Sequence, residues 1–151
     1  MKIIVYFILA LFFLISTAVA GGEGLINVKS SHDVKTTADR LESVLNQKGM
    51  KIFIRINHAA GAADVGKKLR PTELIIFGNP KVGAPLMQCN QSVGIDLPQK
   101  ALIWQDDKGL VWLTYNDPDY LAGRHGLKGC TDVIKKVKTA LTNFAMAAAA
   151  P

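Results

Sequence analysis

Five side chains in this sequence could bind a soft metal or carry redox chemistry: His58, Met87, Cys89, His125 and Cys130. Thioether, thiolate and imidazole together suit copper or haem iron. Their spacing matches no known site: Met87-x-Cys89 and His125-x4-Cys130 lack the ligand spacing of a zinc site and of a c-type haem attachment. With no Cys-x-x-Cys, thioredoxin-like chemistry has little support. Met87 also reads as an ordinary core residue. His125 reads as a helix-terminal imidazole facing free carbonyls and the helix dipole. The alternatives for the two cysteines, the only ones in the chain, are a Cys89–Cys130 disulfide, two buried thiols, or a redox or metal site.

Catalytic patterns are sparse. Asp106 and Asp107 fall in a hairpin turn, and Asp117 and Asp119 at a helix start, where turn and cap roles explain them. Ser92 has no flanking nucleophile-elbow glycines. Gly78 to Gly83 lacks the spacing of a phosphate-binding loop. What remains is a group of polar and aromatic residues near strand ends: His58, Asn79, Tyr115, Asn116, Tyr120, Arg124 and His125. If the helix carrying Arg124 and His125 packs over the sheet ends, these residues and Met87 could line a pocket for a small anionic or aromatic ligand. The structural alternative has Asn79 and Asn116 satisfying turn backbones, with Tyr and Arg covering apolar surface.

The elements that must position these residues follow a leader. Met1-Lys2, an unbroken apolar run from Ile3 to Ile15, and Ala18-Val19-Ala20 before Gly21 read as a secretory signal peptide cleaved after Ala20. The apolar run is short for a membrane span, and no second run approaches spanning length, so no stable span is expected after cleavage. The chain carries a net charge of +6, with basic residues densest at Arg124, Lys128, Lys135, Lys136 and Lys138. That cluster reads as the solvated face of a helix, and an exported protein rarely meets nucleic acid, so no nucleic-acid partner is expected. Residues 21–146 suit one domain. The Ala-rich tail, 147–151, has nothing large to bury and is expected to fray.

Along the domain, Gly24 to Ser30 reads as a strand. Val34, Ala38, Leu41, Val44 and Leu45 recur at helical spacing before Gly49. Met50 to Asn57 alternates, which places Ile52, Ile54 and Ile56 on one face of a strand. Glu73 to Phe77 reads as a central strand, and Asp106 to Gly109 as a hairpin turn between two more. Asp117-Pro118 opens a short helix that should stop at Gly126. A last helix buries Ile134, Val137, Leu141, Phe144 and Ala145. Helices grouped on one face of an antiparallel sheet make an α+β domain.

The run from Glu73 to His125, with ELIIFGNPK, APLMQ, DLPQKALIW and VWLTYNDPDYLAGRH, resembles a bacterial and archaeal family known as domain-of-unknown-function family 302. The resemblance spans roughly residues 24–145. It implies a β-α-β4-α arrangement of the TATA-binding-protein-like type, often paired as homodimers, and it implies no reaction. The usual family pattern need not have cysteine at position 89 or 130. Two unusual cysteines in one exported chain favour the disulfide. The sequence therefore points to an exported small-ligand-binding or accessory module, its partner an unidentified small ligand or envelope protein and its cofactor undefined. The alternative is a metal- or haem-binding envelope protein using His125 with Met87 or His58.

Overall fold

The computed structural model describes residues 19–20 and 22–151; the leader expected over residues 1–20 falls outside them except for Val19 and Ala20. Those two residues form a short strand, β1 (Val19–Ala20), beside β2 (Leu25–Lys29). Helix α1 (Val34–Gln47) starts on Asp33, whose carboxylate accepts the Thr36 amide at 2.6 Å. It ends before Gly49, whose φ of +67° suits a residue without a Cβ. β3 (Lys51–Asn57), α2 (His58–Asp64) and β4 (Thr72–Gly78) follow. Asn79 caps α3 (Pro80–Cys89), and a 3-10 turn, Gln91–Ile95, leads into β5 (Gln99–Gln105). A hairpin turn joins β5 to β6 (Val111–Asn116). Asp117 caps α4 (Pro118–Arg124), and α5 (Thr131–Ala149) closes the domain.

The strands form one antiparallel sheet in the order β1-β2-β6-β5-β4-β3. Because side chains alternate along a strand, the sheet has two faces of different character. One face carries Val28, Ile75, Phe77, Ala101, Ile103, Leu113 and Tyr115, all buried under α1 and α5. α1 adds Ala38, Leu41 and Leu45 to this core, and α5 adds the five residues expected from its periodicity. The other face carries Ile54, Ile56, Leu74, Ile76, Leu102, Trp104 and Trp112, none of which is fully buried. The architecture is α+β, with the helices packed on one side of the sheet.

Two local features differ from the sequence reading. Ile52 pairs with Phe77, whereas Ile54 pairs with Ile76, so the ladder shifts between them. This β-bulge turns Ile52 toward the helices and leaves Ile54 and Ile56 on the open face. The simple alternation of three isoleucines therefore breaks, and Phe53 becomes the extra residue, 47% exposed. The second difference is the alanine tail. α5 continues through Ala149, with Ala148 and Ala149 buried against the core. Arg40 of α1 donates to the carbonyls of Ala147, Ala148 and Ala150 at 3.0–3.1 Å, satisfying acceptors that a helix end leaves open. The Ser31 amide donates to the Ala149 carbonyl at 2.9 Å. Small side chains let this helix end sit close to α1, so burial holds a segment that composition alone marks as loose.

Candidate functional site

At one end of the sheet, α3, the 3-10 turn and α5 line a cavity of about 480 Å³ that opens to solvent. Gly83, Ala84, Gly94 and Ala140 leave the space empty by being small, and Met50, Phe53, Leu86, Met87, Leu97, Leu141 and Phe144 make its apolar walls. The bulge in β3 supplies Phe53. Asn79, Gln99 and Lys136 are the polar side chains at this lining. Gln99 is buried, while Lys136 is exposed on α5. The volume lies in the range of small-molecule sites, as does the ratio of many apolar walls to few polar groups. Cys89 ends α3 and Cys130 precedes α5; their sulfurs are at bonding distance, with Cα atoms 6.4 Å apart. The bond thus ties two walls of the cavity together.

The structure brings only part of the expected site to this cavity. Asn79 and Met87 line it, Asn79 with its Oδ1 accepting the Lys81 amide at 2.9 Å. His58 is remote: Lys51 pairs with Gly78, whereas Asn57 pairs with Glu73, so His58 and Asn79 sit at opposite ends of strands roughly 20 Å long. Tyr115 points into the helix-covered core, its hydroxyl 3.3 Å from the Thr142 hydroxyl. Burial pushes the Tyr115 phenol up from its usual value, and the Thr142 hydrogen bond partly offsets that. Asn116 ends β6 on the open face of the sheet, half-buried. Tyr120 covers Gly24, where φ is +79° and any Cβ would strike the ring.

Arg124 and His125 gather around a residue absent from the sequence reading. His125 Nε2 lies 2.6 Å from Asp96 Oδ2, and Arg124 Nη1 lies 3.4 Å from the same oxygen. His125 Nδ1 lies 3.0 Å from the Ser92 hydroxyl, and Asn90 Nδ2 donates to the His125 carbonyl at 2.7 Å. Both ring nitrogens of His125 are therefore engaged, and His58 is remote from it. Among the described residues, no group of three or more His, Cys, Asp and Glu side chains is arranged to hold a metal ion. These contacts fasten the 3-10 turn and the loop after it to the end of α4. That loop, through Gly94 and Leu97, is also a wall of the cavity. No local motif could have signalled Asp96, because its partners come from an element 29 residues away.

An uncharacterised conserved protein DUF302 from Bacillus stearothermophilus, solved by crystallography, shares this fold. The TM-score is 0.75 at 20% identity, over 83% of this chain and 98% of that one. Among curated proteins, the chain is 50% identical over 113 residues to a fluoride-specific ion channel, FluC 1, of Brucella suis biovar 1 (strain 1330). It matches a protein of the same name from Brucella abortus biovar 1 (strain 9-941) equally well. Each match covers 75% of this chain, but the chain spans only 44% and 42% of those relatives. Among the described residues, no helix is long and apolar enough to cross a membrane. The family model for the domain of unknown function DUF302 matches residues 26–144, which is nearly the whole domain, and the chain belongs to that family.

Proposed function

We propose that this protein is an exported binding module whose cavity takes a small apolar molecule with an anionic group. The observation that carries the reading is the 480 Å³ cavity, walled by apolar side chains and edged by Lys136, Asn79 and Gln99. An apolar body would occupy the space between α3 and α5, and its anionic end would meet the Lys136 ammonium. Export is supported by the charged, apolar and small-residue pattern of residues 1–20 and by the Cys89–Cys130 pair, which suits an oxidising compartment. Ion conduction is no part of the proposal. Ligation of copper or haem by His125 gains no support from its two engaged nitrogens.

The test is titration of a dansyl-labelled undecanoic acid, followed by its fluorescence. Saturable binding with a Kd of about 1–10 µM is expected. Ala140→Trp fills the cavity and should weaken binding by at least ~30-fold. Lys136→Met removes one exposed charge contact and should weaken it by about fivefold. A wild-type protein that does not bind, or an Ala140→Trp variant that binds as well as wild type, would sink the reading.

The open sheet face supports a second element of the proposal, a homodimer. Trp104 and Trp112 face each other across β5 and β6, and their indole N–H groups are already bonded to Thr114 and Asp106 at 2.8 and 2.9 Å. The rings therefore offer apolar area with no unmet polar demand. Five strands of about six residues present roughly 500 Å², so two copies would bury about 1,000 Å², the lower bound of a stable association. Light scattering should give twice the chain mass, and Ile54→Glu should give a folded monomer. Wild-type protein that stays monomeric at its highest soluble concentration would remove the dimer.

A further inference from the structure

The Ser92, His125 and Asp96 contacts have a chemical consequence beyond fastening a loop. An ionised carboxylate can only accept a hydrogen bond, so the 2.6 Å contact to Asp96 puts the imidazole proton on His125 Nε2. In the neutral ring, Nδ1 then carries the lone pair. That lone pair faces the Ser92 hydroxyl at 3.0 Å, so the serine must be the donor. Ser92 is solvent-exposed while His125 is 8% exposed. Asn90 fixes both partners: its Oδ1 accepts the Ser92 amide at 3.0 Å and its Nδ2 donates to the His125 carbonyl. An exposed hydroxyl, a buried base and a carboxylate that sets the tautomer of the base make up an activated nucleophile. Here the two ring nitrogens have exchanged their usual tasks. Either nitrogen is equally able to take a proton when the other is held.

We infer that Ser92 is a nucleophile toward carboxylic esters with an apolar acyl group. Ser92 Oγ adds to the ester carbonyl carbon as its proton passes to His125 Nδ1. The tetrahedral adduct expels the alcohol, which leaves with that proton. Water, deprotonated by the same nitrogen, then splits the acyl-serine and returns the acid and free Ser92. Asp96 is a positioning residue, and Arg124 steadies it from the solvent side. The apolar acyl preference rests on the cavity reading, since Gly94 and Leu97 join the Ser92 segment to the cavity wall. The reactivity of Ser92 does not.

Incubation of the wild-type protein with a fluorophosphonate probe, followed by peptide mass mapping, tests the nucleophile directly. A single adduct on Ser92 is expected, absent from Ser92→Ala. Asp96→Asn should label at least ~10-fold more slowly, because an amide N–H facing Nε2 moves the ring proton to Nδ1. Nitrogen NMR of the His125 ring should show the proton on Nε2 in wild type and on Nδ1 in Asp96→Asn, a change of tautomer that a purely structural Asp96 would not cause. Circular dichroism checks that both variants fold; Ser92 is exposed, so its alanine variant keeps the core intact. No adduct on folded wild-type protein while a serine esterase in the same tube labels fully would overturn the inference. So would an adduct on another residue only, or equal rates in wild type and Asp96→Asn. Labelling needs no occupied cavity, so failure here is distinct from failure of dansyl-acid binding.

Discussion

Breaking the Cys89–Cys130 bond should lower the free energy of unfolding by about 4 kcal/mol, the chain-entropy value for a loop closed across 41 residues. The geometry gives a reason to expect the full effect. α3 is ten residues long, carries Pro85 in its middle and buries only Leu86, so little else holds it against α5. Cys130 is itself buried and leans on the Pro85 carbonyl. Urea unfolding with and without reductant measures the change, and a Cys89→Ser/Cys130→Ser protein should match the reduced wild type. Because the bond joins two cavity walls, dansyl-acid affinity should fall in parallel. A loss of less than about 1 kcal/mol would mean that α3 is held by other means.

Replacing Arg55 should be the most damaging single charge substitution. Its guanidinium meets Glu73 at 2.5 Å, Asp39 at 2.6 Å and Glu42 at 3.2 Å, linking β3 and β4 to α1. Glu73 is only 12% exposed at the side chain, so loss of its partner leaves a carboxylate with little water around it. Arg55→Met should therefore cost about 2–3 kcal/mol, less than a fully buried pair because Arg55 keeps a quarter of its exposure. Arg55→Met with Glu73→Gln should recover a good part of that cost, since no charge is then stranded. The network also predicts the acid limb. Hydrogen bonds from Lys35, then Arg55, hold the Asp39 carboxyl below its usual value. A carboxyl depressed in this way stabilises above its unfolded value and loses that contribution as pH falls through its folded one. Stability should fall at acid pH in wild type and less steeply in Arg55→Met. Equal acid limbs would show that Asp39 draws nothing from Arg55.

Local rules made most of the architecture legible. Gly49, Asp117 and Gly126 mark helix ends where the structure has them, and the apolar stripe of α5 names its buried face. The misreadings came from partners distant in sequence. Nothing in the Ile52-Phe53-Ile54 spacing signals a bulge, because a bulge is a property of the β4 ladder beside it. Nothing in the alanine tail signals Arg40, which lies more than 100 residues away. His58 and Asn79 both sit near strand ends, and only the pairing of β3 with β4 reveals that the ends are opposite. Of the residues expected around a pocket only Asn79 and Met87 line the cavity, and the rest of its lining was illegible for a different reason. It is made by Gly83, Ala84, Gly94 and Ala140, and space left by missing side chains has no residue signature. Ser92 lacks nucleophile-elbow glycines and no motif surrounds Asp96; only the chain return at α4 sets an imidazole between them.

The pairing of β2 with β6 has a consequence for timing. Leu25 sits opposite Asn116, so the first full strand of the domain finds its sheet partner only after most of the chain has been made. A chain emerging from the ribosome cannot close this side of the sheet early, and long-range pairings of this kind form slowly. Until β6 arrives, β2 has only the two-residue β1 beside it. This side of the sheet therefore closes late, and the edge of β2 that β6 will cover stays open while most of the domain is synthesised.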